Sequence, residues 1–268
     1  MKQDAFQSAI QILTEKDSLR VWSLIVTIFG DLALDPGDVI SGPVLGDILS
    51  PVGVRPEAMR VALYRLRNEG WLETTKRGRE ALHHLSASGR TQSASASRRI
   101  YASAQSEDPR WHVLCYPPVL SSEEHQRAAQ RSKEGYVTVA PGVYLANGIL
   151  RSKATGAFVV QGVIGDVPDW LSKTLVPSAL IDAFAELSAR LNAIDFDASG
   201  FKSLSQIEIA TLRALIVHRW RKLVLKLPNA PDALFGKDFA GTTCRAAVMQ
   251  ALDALARPEL SSLARRAL

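Results

Sequence analysis

Arg60 and Tyr64 are the two residues of this chain whose types and spacing indicate the most specific chemistry. They are four positions apart, so on a helix they lie one turn apart, on the same side. An arginine guanidinium can donate two hydrogen bonds to one guanine, and recognition helices present such side chains to base edges near their N-terminus. The pair therefore predicts contact with base edges in a DNA groove.

Further cations surround this pair and are predicted to contact phosphates. Between Arg55 and Glu80 the chain has seven Lys or Arg residues against four Glu residues, a positive but modest local charge. The predicted DNA-binding residues are Arg55, Glu57, Arg60, Tyr64, Arg65, Arg67, Lys76, Arg77 and Arg79. The alternative is a domain that contacts only proteins, with these arginines as a solvated face.

A helix from Pro56 to Gly70 must position these side chains. Proline suits the first helical position, and glycine tolerates the left-handed conformation that follows a helix end. At about 100° per residue, one narrow face is apolar and is predicted to pack, and the opposite face is free to touch a groove. The apolar face comprises Met59, Ala62, Leu63 and Leu66, and the free face comprises Glu57, Arg60, Tyr64 and Asn68.

The neighbouring segments complete the pattern of a winged helix-turn-helix. A short helix is predicted over 42–49, with Pro43 near its start, and a turn over 50–54 leads into the helix described above. Two short strands are predicted over 71–75 and 80–85, joined by a basic loop in which Gly78 can take a positive φ. The leading hypothesis is a transcription regulator, because this order of elements is typical of DNA-binding domains.

Composition is consistent with a multidomain protein that binds a polyanion. The 268 residues are 47% hydrophobic and 22% charged, with a net charge of +5, and the sequence pI is about 9.3. Cys115 and Cys244 are far apart and have no partner at metal-ligand spacing, which indicates neither a disulfide scaffold nor a zinc site and fits a reducing cytoplasm. We expect no signal peptide and no membrane span.

The rest of the chain predicts two more domains. Strands near 111–116, 136–146 and 157–164, with a helix opened by Ser121, favour a ferredoxin-like split β-α-β sheet, a shape that often pairs to form dimers. The last third is helical, with Ser205 and Glu208 at capping-box spacing. The predicted domains are a winged helix at 1–90, a connector at 91–109, a central domain at 110–176 and a helical domain at 177–268. The fold class is α+β.

A cationic stretch in the predicted long helix of the last third is a second candidate site. No acidic residue occurs between Thr211 and Pro231. An anionic partner is therefore expected, which could be DNA backbone, an acidic surface of another subunit or the phosphates of a small ligand. A solvated face paired with distant acids is the alternative. The candidate residues are His218, Arg219, Arg221 and Lys222.

Three segments resemble the PaaX family, the repressors of phenylacetic acid degradation. They are the run from Arg60 to Leu72 with its Arg77-Gly78-Arg79 loop, the segment from Arg99 to Trp111, and the run from His218 to Leu225 followed by Pro228. The resemblance implies an N-terminal winged helix, a central domain like the Cas2 ferredoxin fold and a helical C-terminal domain. It also implies a homodimer that represses catabolic promoters on double-stranded DNA and is released by an acyl-CoA thioester such as phenylacetyl-CoA.

Signatures of catalysis are missing from the sequence. It has no Gly-x-x-x-x-Gly-Lys phosphate loop, no Gly-x-Ser-x-Gly elbow and no His-Glu-x-x-His helix. His83 and His84 lie in a predicted strand, where at most one can face inward, and are interpreted as structural. We expect a regulator without catalytic residues, cofactor or metal. The alternative is a Cas2-like nuclease or an acyl-CoA-processing enzyme with an accessory winged helix.

Overall fold

The computed structural model of the protein describes residues 2–15, 19–78, 80–102, 110–150, 153–163, 165–228, 230, 232–236 and 238–263, and combines helices with two antiparallel sheets. The helices are α1 (Lys2–Thr14), α2 (Val21–Leu32), α3 (Gly42–Leu49), α4 (Pro56–Asn68), α5 (Ala87–Ile100), α6 (Ser121–Lys133), α7 (Asp169–Leu175), α8 (Ser178–Asn192), α9 (Ser199–Lys202), α10 (Gln206–Val224), α11 (Ala240–Ala254) and α12 (Leu260–Leu263). The strands are β1 (Ile40–Ser41), β2 (Leu72–Arg77), β3 (Glu80–Leu85), β4 (Arg110–Cys115), β5 (Val137–Ala140), β6 (Val143–Asn147) and β7 (Phe158–Val163). The α+β class predicted from the sequence is confirmed.

Helices α3 and α4 begin where their sequences predict. Ser41 caps α3 by accepting a hydrogen bond from the Val44 amide, and Pro43 occupies its first turn. A 3₁₀ turn (Ser50–Val52) and Gly53, with φ of 79°, connect α3 to α4. Pro56 is the first helical residue of α4. The predicted helix, turn and second helix are all present.

The end of α4 is fixed by Gly70. Its φ of 72° lets the Gly70 amide donate to the Arg67 carbonyl (3.0 Å) and the Trp71 amide donate to the Leu66 carbonyl (2.8 Å). This pair of hydrogen bonds is the Schellman motif, which satisfies carbonyls that a helix end would otherwise leave without partners. The chain then turns directly into β2.

Strands β2 and β3 form an antiparallel hairpin, with Leu72 opposite Leu85 and Arg77 opposite Glu80. The short β1 pairs with the other side of β3, so the strand order of this sheet is β1-β3-β2. Gly78 follows β2 with φ of 61°, as expected for a tight loop. The predicted strands are confirmed, and β2 extends two residues further than expected.

Helix α5 corrects the prediction of a connector at 91–109, which assumed no regular structure in the small polar residues of this region. Residues 87–100 are helical, and 103–109 lie outside the described residues. Ser86 caps α5 by accepting from the Gly89 amide (2.9 Å) and donates to the Gly70 carbonyl (2.6 Å). A Cβ at Gly89 would lie 2.3 Å from the Trp71 carbonyl oxygen. The helix therefore depends on close tertiary contact rather than on an apolar stripe, which is why hydrophobic periodicity did not reveal it.

The described residues group into two compact units. The first contains those within 1–101, 186–222 and 245–268, and the second those within 102–185 and 223–244. Helices α8, α10 and α11 contribute residues to both units, so the units do not follow the domain boundaries predicted from the sequence. Those boundaries stay a prediction.

One hydrophobic core holds the first unit together. Helices α2, α3 and α4 contribute most of it, and Ala210 and Ala214 of α10 belong to the same cluster. The fully buried side chains of α2 and α3 in this cluster are Leu24, Ile25, Ile28, Phe29, Leu45, Ile48 and Leu49. Because α2 packs against α4, this core fixes the orientation of α4.

The second unit contains a four-stranded antiparallel sheet of order β5-β6-β4-β7. Helix α6 connects β4 to β5, and β5 and β6 form a hairpin at Gly142, with φ of 75°. The described residues between β6 and β7 form no helix.

The helices of the last third agree with their sequence signals. Ser205 and Glu208 form a reciprocal capping box at the start of α10, with the Ser205 amide donating to Glu208 Oε2 at 2.7 Å and the Glu208 amide donating to Ser205 Oγ at 3.3 Å. Helix α11 ends at Ala254, four residues before Pro258. Within the described part of the chain, no helix is both long and apolar enough to cross a membrane.

Candidate nucleic-acid interface

The outward face of α4 presents the residues predicted to read bases. The side chains of Arg60 and Glu57 are 69% and 71% exposed, and Tyr64 is 61% exposed. Arg60 Nη2 donates to Glu57 Oε1 at 3.1 Å. An ion pair at such exposure is worth at most about 1 kcal/mol, so either side chain can leave it to meet a ligand. The face is therefore available for contact.

The opposite side of α4 is buried as predicted. Ala62, Leu63 and Leu66 lie in the core of the first unit, and Met59 packs against the same cluster. Burial of this side leaves α4 little freedom to rotate about its axis, because a rotation would expose apolar surface at about 25 cal/mol per Å². The fold thus holds the outward residues in one orientation.

The flanking arginines of α4 differ in how strongly the fold engages them. Arg65 Nε donates to Glu69 Oε1 at 2.7 Å, and its guanidinium lies 4.9 Å from the centre of the Trp22 ring. Arg67 lies 5.9 Å from the Tyr64 ring. Arg55 is exposed at the residue before the helix. Arg65 is the most constrained of the three, since both its ion pair and its ring contact would resist movement toward a phosphate.

The β2–β3 hairpin carries the remaining predicted cations. Lys76 and Arg77 are exposed at the end of β2 next to the Gly78 loop. Arg79, also predicted to contact DNA, lies outside the described residues. The exposed end of the hairpin is therefore basic at the two positions that the structure describes.

His83 of β3 is a structural residue, as expected from the sequence. It is buried, and its Nδ1 lies 2.9 Å from Thr74 Oγ1 across the hairpin. Burial lowers the pKa of His83 below its ordinary value of 6.5, and the charges of Arg67 and His84 lower it further. His84 is only partly buried, so one of the two neighbouring histidines faces inward.

The four residues predicted to bind an anionic ligand do not form one exposed face. His218 is buried, with Nδ1 3.2 Å from Thr27 Oγ1. Arg219 donates to the backbone carbonyls of Leu13, in the last turn of α1, and of Glu15, the first residue after it. Both side chains therefore have structural roles in the first unit.

Arg221 and Lys222 remain the more accessible members of this set. Lys222 is exposed. Arg221 is partly buried, its Nη2 lies 3.5 Å from Ser23 Oγ, and burial lowers the pKa of its guanidinium. Anion binding at α10 would therefore depend on these two residues.

A buried ion pair that the sequence did not reveal connects α2 with α10. Arg213 Nε and Nη2 donate to the two carboxylate oxygens of Asp31, both at 2.9 Å. Arg213 Nη1 donates to the carbonyls of Leu252 (3.0 Å) and Leu255 (2.6 Å) at the end of α11. Tyr101 donates its hydroxyl to Asp31 at 2.6 Å, and burial together with the Asp31 charge raises the Tyr101 pKa. The one sign of this ion pair in the sequence is Asp31 itself, an acidic residue within an otherwise mostly apolar helix.

The second unit contains a polar cavity of about 510 Å³ near β4 and α6. His112 lies in its wall, with Nδ1 2.8 Å from the Gly148 carbonyl oxygen and Nε2 3.0 Å from the Tyr136 hydroxyl. Arg131 donates to Glu134 at 2.6 Å. The cavity is lined by His112, Arg131, Glu134, Tyr136, Leu150, Lys153, Ala154 and Thr155. His112 and Tyr136 are therefore hydrogen-bonded to each other, and Arg131 is paired with Glu134.

Carboxylates of the described residues are not arranged as a metal centre. In that part of the chain, no group of three His, Cys, Asp or Glu side chains is placed to hold an ion. Glu124 illustrates how one carboxylate is used instead. It accepts hydrogen bonds from the Tyr144 hydroxyl (2.6 Å) and the Gly142 amide (2.9 Å), and these bonds lower its pKa. Glu124 therefore connects α6 to the β5–β6 hairpin through two hydrogen bonds.

Comparisons with known proteins match two segments of this chain to family models and identify two similar proteins. Residues 20–89 match the family described as PaaX-like protein, and residues 178–264 match the PaaX-like protein C-terminal domain. The Transcriptional repressor PaaX of Escherichia coli (strain K12) is 27% identical over 244 residues, covering 83% of this chain and 76% of that protein. The uncharacterized protein Rv0674 from Mycobacterium tuberculosis has a similar fold, with a TM-score of 0.54 and 20% identity over 89% of this chain and 96% of that chain.

Proposed function

Because this chain belongs to the PaaX-like protein family, we propose that it is a transcriptional repressor that binds duplex DNA through the outward face of α4 and the β2–β3 hairpin. The observation that carries this proposal is the orientation of α4. Arg60 and Tyr64 face water, whereas Ala62, Leu63 and Leu66 are held in the core. A rigidly supported helix with an exposed arginine near its N-terminus suits insertion into a major groove.

In this proposal α3, α4 and the hairpin act as a winged helix-turn-helix. Helix α4 reads base edges, with Arg60 and Tyr64 as its specific contacts and Glu57 beside them. Arg55, Arg65 and Arg67 together with Lys76, Arg77 and Arg79 contact phosphates, which set the position of the protein on the duplex without reading sequence. The contact between α4 and β2 supports this assignment, since it holds the hairpin beside α4.

The chain is a regulator and not an enzyme. It belongs to the PaaX-like family, and its relative in Escherichia coli is a transcriptional repressor, so the alternative of a Cas2-like nuclease or an acyl-CoA-processing enzyme is not favoured. A repressor must reach the chromosome, and we therefore propose that the protein acts in the cytoplasm.

For the second unit we propose a ferredoxin-like, Cas2-like domain that pairs two copies of the chain. The strand order supports this assignment, although the described segment between β6 and β7 has no second helix. Among the described strands β7 is at the edge of the sheet, and Phe158 and Val163 are each 70% exposed. An exposed apolar edge strand is a template for another strand. Antiparallel pairing of β7 with its copy would set Phe158 opposite Val163 and give a two-fold symmetric dimer.

A lysine on this edge is expected to separate the two copies. Val160 and Gln161 would flank the two-fold axis, so Val160→Lys brings two like charges together and should shift the protein to monomer in sedimentation equilibrium. Thr138→Lys on β5, at the opposite edge of the same sheet, is the matched control and should leave the dimer intact. Dissociation by the control alone would place the interface on β5 instead.

An acyl-CoA thioester such as phenylacetyl-CoA is the proposed effector. A ligand changes DNA affinity only if it binds one conformation better than another, so the thioester must prefer the form that does not bind DNA. Arg221 and Lys222 are the proposed contacts for its phosphates, because a partly buried guanidinium gains most from an anionic partner. His218 and Arg219, which bond to the protein itself, would act by holding α10 in place.

A DNA mobility shift on the gene's own upstream region tests the whole proposal. Retardation of that duplex and not of a shuffled duplex, followed by release on adding phenylacetyl-CoA but not free coenzyme A, is the expected result. Failure to retard any duplex would refute DNA binding, whereas retention of the complex at saturating thioester would refute only the effector. Unchanged thioester affinity in the double variant Arg221→Ala, Lys222→Ala would remove these residues from the ligand site.

A further inference from the structure

Val61 is an exposed apolar residue on the face of α4 that is proposed to meet DNA. It is 69% exposed, more than Tyr64 at 61%, and is not among the described residues of the core of the first unit. The inward residues Ala62, Leu63 and Leu66 define the buried direction of the helix. At about 100° per residue, Val61 and Tyr64 lie about 60° apart, on either side of the most outward direction. Val61 therefore points more directly away from the core than Arg60 does.

This position makes Val61 unusual for a solvated helix surface. A β-branched residue is a weaker helix former than alanine and gains nothing from facing water. Single exposed apolar residues are common on proteins and by themselves indicate nothing. Here, however, Val61 and Tyr64 are three positions apart and adjacent on the outward face, between Arg60 and Arg65. The polar residues Glu57 and Asn68 lie on the same face, one turn before Val61 and one turn after Tyr64. An apolar pair with arginines on both sides matches a surface that contacts phosphates at its margins and apolar atoms between them.

The major groove of DNA offers one prominent apolar group, the C5-methyl of thymine. Resting on the proposed DNA-binding role of α4, we propose that Val61 recognises a thymine in the operator by packing its methyl groups against that C5-methyl. Arg60, the preceding residue, and Tyr64, one turn later, would contact neighbouring positions. Val61 is thus a specificity-determining residue whose contact depends on one methyl group of the DNA.

Deoxyuridine tests this contact because it differs from deoxythymidine only by that methyl. After the bound site has been located by footprinting, each thymine within it is replaced in turn by deoxyuridine, and affinity is measured by fluorescence anisotropy. At one position the wild-type protein should bind about fourfold more weakly, the ratio expected for one methyl-sized apolar contact. The same DNA change should leave the affinity of Val61→Ala unaltered.

Two controls keep the result specific to Val61. Alanine is a good helix former, so Val61→Ala should keep the helical circular dichroism of the wild type. Val39→Ala removes a valine that is also exposed, 37%, but lies outside α4, and this variant should keep the full deoxyuridine effect.

Three outcomes would overturn the inference. The first is a wild type insensitive to every deoxyuridine, and the second is a methyl effect that persists in Val61→Ala. In both cases DNA binding itself, and with it the proposed function, would stand. The third is absence of any DNA binding, which would remove both.

Discussion

Replacing Asp31 with alanine is expected to lower the free energy of unfolding of the protein by about 3 to 5 kcal/mol, the cost of breaking a buried ion pair. Asp31 and Arg213 are both buried, and their two hydrogen bonds of 2.9 Å form a bidentate pair. Without the carboxylate, Arg213 keeps only its bonds to backbone carbonyls and remains a buried cation without a counter-charge. The Tyr101 hydroxyl loses its acceptor in the same change.

Urea titration monitored by circular dichroism measures this effect. Asp35→Ala is the matched control, since Asp35 is an exposed acid four positions away and its loss should change stability by less than about 0.5 kcal/mol. Adding Arg213→Met to Asp31→Ala should recover part of the loss, because replacing both charges with apolar groups removes the uncompensated cation. A loss under 1 kcal/mol for Asp31→Ala would show that water reaches the pair.

The ion pair also explains what could not be predicted about α10. From the sequence alone, the cations of this helix were expected to form a face turned toward solvent, an anionic ligand or another subunit. In the structure every residue from Thr211 to His218 is buried, and Arg213 pairs with an acid 182 positions earlier in the chain. A hydrophobic pattern contains no information about such a distant partner. The alternative interpretation was that cations of this helix pair with acids elsewhere in the fold, and Arg213 does so.

Helices α4 and α5 show the other limit of sequence reasoning. The ends of α4 were predictable because Pro56 and Gly70 act locally, through the backbone geometry that each residue allows. Helix α5 was missed because its stability depends on Ser86 and on the close approach of Gly89 to the Trp71 carbonyl. Small polar residues gave no periodic signal, although the cap was visible as a serine before the helix. Local signals were therefore reliable, and tertiary contacts were not predictable.

Arg60→Ala is expected to weaken binding to the preferred DNA site by about 1 to 3 kcal/mol, roughly fivefold to more than a hundredfold, with little change on unrelated duplexes. The loss falls on the preferred site because a guanidinium that is bidentate to guanine contributes only where guanine is present. The exposed ion pair with Glu57 reduces this loss by no more than about 1 kcal/mol, the most that releasing it costs the wild type. Fluorescence anisotropy on the footprinted site and on a shuffled duplex measures both affinities.

Arg77→Ala is the contrasting variant, since Arg77 lies at the exposed end of β2 and is proposed to contact phosphate. It should weaken all duplexes alike and reduce the slope of log affinity against log salt by about 1, because one fewer phosphate is neutralised. Lys202→Ala removes an exposed cation of α9 and should change neither property. If instead Arg77→Ala altered sequence preference and Arg60→Ala altered only the salt slope, the hairpin and not α4 would be the element that reads bases. Comparing the two variants thus distinguishes the two proposed roles. Helix α4, buried on one side and exposed on the other, reads base edges, whereas the hairpin contacts only the phosphate backbone of the DNA.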